Sequence, residues 1–297
     1  MKILLTGKNG QVGFELQRSL APLGEVVAVD SGDCNLADGA ALRALVRSVV
    51  PDVIVNPAAY TAVDKSESEP GIAHAVNALA PAILGEEAER LGASVVHYST
   101  DYVFDGSKHG PYLESDTASP AGVYGKTKLE GELGLRAATR RHIILRTCWV
   151  VGAHGNNFAK TMLRLARERD TLRVVNDQWG APTSAALIAD ITAHLVARQK
   201  RDKDTFPYGL FHLSASGLTN WHEYACHVLN AAESAGIDLR AKASSVQAIS
   251  SSDYPTAAKR PANSKLDTTL LQSTFGLRLP PWQHGLDLIL QDILGRP

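Results

Sequence analysis

Short β-branched apolar runs alternate with longer stretches of helical periodicity through the first half of the chain. The apolar runs are continuous, which is typical of strands covered on both faces in a parallel sheet. They predict five strands: Ile3–Thr6, Glu25–Asp30, Val53–Asn56, Ser94–Ser99 and His142–Thr147. The stretches between them predict four helices: Gln11–Leu20, Ala40–Val49, Asn77–Leu91 and Tyr124–Ala137. This order indicates right-handed βαβ units, so the predicted class is α/β with a doubly wound parallel sheet. Pro81 is expected in the first turn of the third helix or at a kink.

The regular alternation ends after Trp149. The later pattern predicts helices at 157–169, 185–198, 221–235, 268–275 and 282–294, and strands at 172–175, 209–213 and 245–249. We interpret 1–150 as a nucleotide-binding domain that also receives later segments near 176–215. Residues 151–297 are expected to form mainly a smaller α/β substrate domain over the carboxyl edge of the sheet.

Composition and charge narrow the class of protein. The chain has 297 residues, 44% of them hydrophobic and 21% charged, as in ordinary globular proteins. A formal net charge of −1 gives no electrostatic case for nucleic acid or an anionic membrane as a partner. No apolar stretch is long enough to cross a bilayer, and no secretion signal precedes the first strand. The three cysteines are scattered, without metal-ligand spacing, so we expect a cytoplasmic protein.

Three glycines follow the first predicted strand. Gly7, Gly10 and Gly13 form the pattern G-x-x-G-x-x-G between that strand and the first helix. Glycine permits the tight turn, lets the backbone approach a pyrophosphate and allows close helix–strand packing. The helix N-terminus then favours the anion. A plain strand–turn–helix connection is the alternative, but Asp30, 17 residues after Gly13, agrees with a Rossmann dinucleotide site.

Asp30 bears on the choice of cofactor. A carboxylate there accepts hydrogen bonds from the adenosine ribose and repels a 2′-phosphate, which favours NADH. Lys8, inside the glycine loop, can offset this repulsion, so NADPH stays open.

Thr100, Tyr124 and Lys128 carry the candidate chemistry. Thr100 falls at the carboxyl end of a predicted strand, where open α/β sheets bind ligands. Tyr124 and Lys128 are four residues apart and project from one helix face. A nearby ammonium is expected to lower the pKa of the phenol, which can then exchange a proton with a substrate oxygen. A lone pair of this kind is usually a surface pair, but beside a nucleotide site it predicts hydride transfer.

The motifs together resemble the extended short-chain dehydrogenases/reductases, and within them the dTDP-4-dehydrorhamnose reductases. The resemblance covers essentially the whole chain. Its markers are the segments 7–13, 56–64, 99–106, 124–128, 146–150, 176–183 and 260–264. It implies NADH- or NADPH-dependent reduction of the C4 ketone of dTDP-4-dehydro-β-L-rhamnose, the last step of dTDP-rhamnose biosynthesis, with a dTDP-sugar as the partner.

Site residues follow from this resemblance by position. It implies that Gly10, Gln11 and Val12 bind the pyrophosphate and that Lys128 binds the nicotinamide ribose. Asn35 and Leu36 would flank the adenine. The remaining cofactor contacts would be Ala58, Ala59, Tyr60, Thr61 and Tyr98. The residues facing the sugar would be Thr100, Asp101, Tyr124 and Trp149, with further nucleotide-sugar contacts from Asn157, Gln178 and Arg260.

The chain departs from the family pattern at several positions. Asn35 stands where an acid is usual, Cys148 where a serine is usual and Val151 where an aromatic residue is usual. Some members dimerise through a metal ion held by glutamates. Glu15 matches one such ligand, but Ala186 stands where another acid is expected, so both a homodimer and a Mg²⁺ requirement stay open.

Three neighbouring functions are the alternatives. Dehydratases of this fold carry adjacent Asp and Glu after the strand, whereas Tyr102 follows Asp101 here. Epimerases share the Tyr–Lys pair and are disfavoured only by the surrounding motifs. A non-catalytic NADP-binding regulatory subunit, resembling that of methionine adenosyltransferase, would be free to lose Tyr124 or Lys128, and both are present. His97, within an apolar strand, is expected to be a packed core or edge residue, and core packing is also the alternative for Trp149.

Overall fold

A six-stranded parallel sheet organises the protein. The structure is a computed structural model that describes residues 1–202 and 204–295. Its strands are β1 Lys2–Leu5, β2 Glu25–Ala28, β3 Val53–Asn56, β4 Ser94–Thr100, β5 His142–Thr147, β6 Val150–Val151, β7 Leu172–Val175, β8 Trp179–Gly180, β9 Thr183–Ser184, β10 Gly209–His212, β11 Thr219–Asn220 and β12 Val246–Ile249. The order in the main sheet is β10-β5-β4-β3-β1-β2, and every pair in it is parallel. The predicted doubly wound parallel sheet is therefore confirmed.

Helices cover both faces of this sheet. They are α1 Gln11–Leu20, α2 Gly39–Val49, α3 Val63–Ser66, α4 Pro70–His74, α5 Ala80–Leu91, α6 Val123–Ala138, α7 Phe158–Glu168, α8 Ala185–Arg201, α9 Trp221–Ser234, α10 Thr269–Phe275 and α11 Trp282–Leu294. Successive strand residues point to opposite faces, so Leu5 joins the core beneath α1 and α8, whereas Leu4 joins the core beneath α2 and α5. None of these helices, which all lie in the described part of the chain, is long and apolar enough to cross a membrane.

The third predicted helix begins earlier and is interrupted. Helix α4 at Pro70–His74 runs into a π-helical turn at Ala75–Leu79, and α5 follows with Pro81 in its first turn. Proline has no N–H to donate to the carbonyl four residues before it, here that of Asn77. A wider turn accommodates that missing bond. The sequence located the irregularity at Pro81 but did not predict the turns that precede it.

Two glycines bring α6 close to its neighbours. A Cβ on Gly125 would lie 2.1 Å from the carbonyl oxygen of Tyr102, and one on Gly131 would lie 2.0 Å from that of Asn77. No side chain fits at such distances, so glycine alone allows this approach. Because Gly125 follows Tyr124 directly, this packing places the tyrosine beside the turn that ends β4.

The later part of the chain has its own core. β7 pairs in parallel with β12, and α7, α9 and α11 pack around them through Leu163, Val228 and Leu286. The predicted strand at 209–213 joins the main sheet as β10, at its edge. The two-residue strands β6, β8, β9 and β11 were not predicted, because two residues show no periodicity.

Candidate active site

The glycine loop has the geometry that a pyrophosphate needs. Gly7 adopts φ +63°, which strains any other residue, and its Cβ would lie 3.0 Å from Ala58. A Cβ on Gly13 would lie 2.0 Å from the Gly7 oxygen. The Gly10 N–H donates to that same oxygen at 3.0 Å, and α1 begins immediately after Gly10. The loop thus closes against the N-terminus of α1, an anion-binding arrangement.

Acidic and basic groups gather beside this loop, at the end of β2. Asp30 accepts from Asn9 Nδ2 and, at 2.8 Å, from the Gly32 N–H. The Lys8 ammonium lies 2.5 Å from Asp33 and 3.9 Å from Asp30. Its hydrogen bond to Asp33 raises the pKa of Lys8 and lowers that of Asp33. Asn35 stays within its own turn, where its Oδ1 accepts from the Ala37 N–H, and Leu36 lines a small cavity with Gly7 and Asp30.

The loop at 57–62 is fixed by Asn77, which the sequence did not single out. Asn77 is fully buried, and its Oδ1 accepts from the Tyr60 N–H at 2.8 Å while its Nδ2 donates to the Tyr60 oxygen at 3.0 Å. The phenol of Tyr60 donates to Glu69. The segment that contains Ala58, Ala59, Tyr60 and Thr61 is therefore held from the turn ahead of Pro81.

The residues predicted to carry the chemistry converge at the carboxyl end of β4. Thr100 Oγ1 donates to Asp101 Oδ1 at 3.1 Å and lies close to Tyr124. The Tyr124 ring meets the Tyr102 ring edge to face, with centroids 5.4 Å apart. At the start of α6, Glu67 Oε1 accepts from the Val123 N–H at 2.8 Å, which fixes the entry of the helix.

The pKa of Tyr124 differs from the sequence-based expectation. Burial raises it to about 12, and the nearby charge of Asp101 adds to this, while the contact with Thr100 opposes it. The expectation of a lowered pKa is wrong for this structure, because desolvation disfavours the phenolate. A phenol that keeps its proton suits a group that must donate to an alkoxide, since an alkoxide is the more basic of the two.

Asp101 presents an unsatisfied carboxylate oxygen. The side chain is 3% exposed, and its Oδ2 has no hydrogen-bond partner among the residues that the structure describes. Burial raises its pKa to about 6, although the nearby hydroxyls of Ser264 and Thr100 oppose this. A buried acceptor without a partner costs free energy, so a ligand hydroxyl at this place would be bound favourably.

Lys128 is almost fully buried, and its ammonium faces β4. Its Nζ donates to the Tyr98 oxygen at 2.6 Å and lies 3.3 Å from His97 Nε2. Burial lowers the pKa of Lys128 to about 8, against the attraction of Glu132. The Tyr98 ring points into the core, where its hydroxyl meets Thr192 at 2.7 Å. Tyr98 was predicted to line the cofactor. Because its ring points into the core, Tyr98 faces Lys128 with its carbonyl oxygen.

Trp149 adopts a left-handed backbone. Its φ is +46°, which is strained for a residue with a bulky side chain. Its ring stacks on Trp221 at 3.7 Å between centroids, and the ring leaves no room for a Cβ at Gly180. Strain of this kind is found where a site requires one orientation of a side chain. Trp149 thus extends the aromatic surface from the end of β5 to α9.

Gln11 and Asn157 bond to one another. Asn157 Nδ2 donates to Gln11 Oε1 at 3.1 Å and to the Gly152 oxygen at 2.7 Å, and its Oδ1 caps α7 by accepting from the Lys160 N–H. Gln11 Oε1 also accepts from the Gly152 N–H at 2.8 Å. These contacts favour a structural role for the side chains of both Asn157 and Gln11.

A cavity of about 800 Å³ opens between α7, β7 and the segment at 251–260. Its described lining contains no Asp or Glu but four cations: Arg169, Arg173, Lys259 and Arg260. Apolar and aromatic groups form other parts of the wall, among them Phe158, Trp221 and Tyr254. Cations beside flat apolar surfaces suit a nucleotide with its phosphates. Apart from Arg260, these residues were not predicted, because they lie in segments without a motif.

Gln178 and Arg260, which the sequence predicted to be nucleotide-sugar contacts, both line this cavity. Gln178 accepts from Trp221 Nε1 at 3.2 Å and donates to Ser251 at 2.9 Å. Arg260 Nη2 donates to Asp64 at 3.1 Å, which fixes the guanidinium. Its Nε is buried and has no partner in the described part of the protein.

A bound metal finds no support. Within 1–202 and 204–295, no group of three or more His, Cys, Asp or Glu side chains could hold a metal ion. The Mg²⁺ requirement that the sequence left open therefore has no candidate ligand set among these residues.

Comparison with known proteins identifies the family. The family described as RmlD substrate binding domain matches residues 1–294. The chain is 50% identical to the dTDP-4-dehydrorhamnose reductase of Escherichia coli K12, in an alignment that covers 99% of this chain and 98% of the relative.

Solved structures agree. A dTDP-4-dehydrorhamnose reductase from Clostridium acetobutylicum superposes with a TM-score of 0.88 at 37% identity, covering 98% of this chain and 99% of the other. The Bacillus anthracis enzyme, solved in complex with NADP, gives 0.85 at 31% identity, with coverage of 97% and 98%. These matches extend over the glycine loop, the reacting centre and the cavity alike, and the chain therefore belongs to the dTDP-4-dehydrorhamnose reductase family of oxidoreductases.

Proposed function

We propose that this protein reduces the C4 ketone of dTDP-4-dehydro-β-L-rhamnose to dTDP-β-L-rhamnose with NADH or NADPH. The observation that carries the proposal is the placement of Thr100, Tyr124 and Lys128 along the carboxyl half of β4, in a chain that also has a strand–glycine loop–helix turn and a cation-lined cavity. A relative that is named for this activity is 50% identical over nearly the whole chain.

The chain's own residues account for the proton. When bound, the nicotinamide supplies a hydride to the carbonyl carbon. Tyr124 donates its phenolic proton to the carbonyl oxygen as negative charge develops there, and its raised pKa keeps that proton available at neutral pH. Thr100 orients the same oxygen through its hydroxyl. Lys128 binds the nicotinamide ribose.

The cavity accommodates the nucleotide. Arg260, held by Asp64, is placed to bind the diphosphate by a bidentate contact, and the neighbouring cations strengthen the local positive potential. Trp221 lines this cavity, where its indole can contact the nucleotide, and Trp149 stacks against it. Asp101 accepts from a sugar hydroxyl through Oδ2. We propose that 1–150, with α8 and β10, forms the cofactor domain and that the rest forms mainly the substrate domain.

One assay tests the proposal. Purified protein is mixed with dTDP-4-dehydrorhamnose generated in situ and with NADH or NADPH, and nicotinamide absorbance and sugar products are followed together. We expect stoichiometric oxidation of the nicotinamide with dTDP-rhamnose as product. A nucleotide that binds without being consumed would instead support the epimerase or regulatory alternative. Cytoplasmic location and a homodimer stay predictions.

The choice between NADH and NADPH is tested at Asp30. Asp30→Ala removes the carboxylate expected to accept from the adenosine ribose and to repel a 2′-phosphate. The ratio of kcat/KM for NADPH to that for NADH is expected to rise by about tenfold, equivalent to about 1.4 kcal/mol. Asp33→Asn is the matched neighbour, since it alters the partner of Lys8 but leaves Asp30 in place. An unchanged ratio in Asp30→Ala would place the ribose elsewhere.

A further inference from the structure

A row of buried polar side chains crosses the sheet behind the active site. Thr6, at the end of β1, donates to Asn56 Oδ1 at 2.6 Å, and Asn56 Nδ2 lies 3.1 Å from His97 Nδ1. Asn56 and His97 are direct partners in the register of β3 and β4. All three residues are at most 1% exposed, and the row ends on Lys128, whose Nζ lies 3.3 Å from His97 Nε2.

Such a row is costly inside an apolar sheet unless every member is satisfied. The group that this row satisfies is the Lys128 ammonium at its far end. A buried ammonium needs several acceptors, and in the described protein Lys128 faces the Tyr98 oxygen and the His97 ring. His97 itself stays neutral, because burial and the nearby Lys128 hold its pKa well below its ordinary value.

The orientation of the Asn56 amide determines which ring nitrogen of His97 carries the proton. With Asn56 donating to Nδ1, the His97 proton sits on Nε2 and can only be donated to an unprotonated amine. With the amide turned over, Nδ1–H donates to the Asn56 oxygen, Nε2 offers a lone pair to the ammonium, and the Thr6 hydroxyl accepts from the Asn56 amide instead of donating to it. The two amide orientations have nearly the same shape, so the row can serve either charge state of Lys128.

The charged and the neutral form of Lys128 are not stabilised equally by the imidazole. A hydrogen bond from a charged donor is about twice as strong as one between neutral groups. The imidazole therefore stabilises the ammonium of Lys128 more than the amine, even though it can bond to both.

We propose that His97, oriented by Asn56, is the positioning residue that keeps the buried Lys128 charged, and that the pair sets the upper pH at which the site works. The consequence for turnover rests on the proposed function, since it uses the role of Lys128 at the cofactor ribose. The effect of His97 on the charge of Lys128 does not rest on the proposed function.

Other charges around Lys128 are accounted for. Glu132 lies one turn further along α6, and Arg146 on β5 is paired with it at 2.7 Å. Tyr124 and Tyr102 pack against each other beside Asp101, and both tyrosines are neutral because burial raises their pKa. On the α4 side of α6, the pair of His74 and Glu130 is solvent-exposed.

The test measures the charge of Lys128 in the free protein. Lysine labelled with ¹³C at Cε is followed by NMR through a pH titration, and the Lys128 signal is assigned by its loss in Lys128→Arg. In His97→Leu we expect the pKa of Lys128 to fall by about one unit. His97→Gln restores a polar terminus and should recover most of that shift. Asn56→Asp can only accept from Nδ1–H and adds negative charge, so it should move the pKa upward.

The pH dependence of kcat/KM is the second measurement. The alkaline limb of kcat/KM is expected to move to lower pH in His97→Leu and to higher pH in Asn56→Asp. An unshifted Lys128 titration in folded His97→Leu would overturn the proposal, whatever the enzyme catalyses. If that variant does not fold, a downward or absent shift in Asn56→Asp overturns it. Shifted titrations without reductase activity would retain the proposal and refute the proposed function.

Discussion

Tyr124→Phe is expected to lower kcat for ketone reduction by about 10²–10⁴-fold, the usual contribution of a positioned general acid. The substitution removes the only proton that the proposed mechanism gives to the carbonyl oxygen and keeps the ring that packs against Tyr102. Because Lys128 and the glycine loop are unchanged, the dissociation constant for NADH should stay within about twofold. Stopped-flow turnover and fluorescence titration of the cofactor measure the two quantities separately.

Tyr102→Phe is the matched control for this experiment. It also removes a phenol hydroxyl, from the ring whose centroid lies 5.4 Å from that of Tyr124. Its kcat should remain within a few-fold of the parent value, since it has no part in the proton step. Retention of most activity in Tyr124→Phe, or an equal loss in both variants, would remove Tyr124 from its role.

The sheet and its order of elements were predictable because they follow from local pattern. Continuous β-branched runs separated by helical periodicity leave few arrangements other than a doubly wound sheet. The glycine loop was predictable for a related reason. Gly7 and Gly13 are required by a positive φ and by a 2.0 Å approach, and both requirements lie within one short segment.

The burial and pKa of the site residues were much less predictable than their positions in the fold. Tyr124 and Lys128 were placed correctly on one helix, but the pKa of the tyrosine was expected to fall and is raised to about 12. A sequence shows that an ammonium is near in the chain, but it does not show that burial removes water from both groups. The Lys128 ammonium faces His97 and the Tyr98 oxygen on β4.

Contacts between residues far apart in the sequence were the other feature that could not be predicted. His97 was predicted to be a packed core or edge residue, and its burial is confirmed, but its partners Asn56 and Lys128 are 41 and 31 positions away. The same holds for Asn77, which fixes the loop at Tyr60 from 17 positions away. Register across parallel strands depends on the whole fold, so no local pattern reveals these neighbours.

The second large effect is expected at the buried ion pair beneath α6. Arg146 Nε and Nη2 donate to Glu132 at 2.9 and 2.7 Å, and both side chains are at most 5% exposed. Glu132→Leu leaves the guanidinium buried without its counter-charge, which typically costs about 3–5 kcal/mol of folding free energy. Denaturant unfolding followed by circular dichroism measures the loss.

The double variant Glu132→Leu/Arg146→Met separates the pair's two conceivable roles. Because it removes both charges and fills the space with apolar side chains, most of the lost stability should return. Glu132 also lies one turn beyond Lys128, so removing its negative charge should leave the double variant with a lower pKa for Lys128. A stable double variant whose activity falls off at lower pH would show that the ion pair maintains the electrostatics of the site. If Glu132→Leu unfolds at the same denaturant concentration as the parent, the guanidinium has found another partner and the pair is not what anchors α6 to β5.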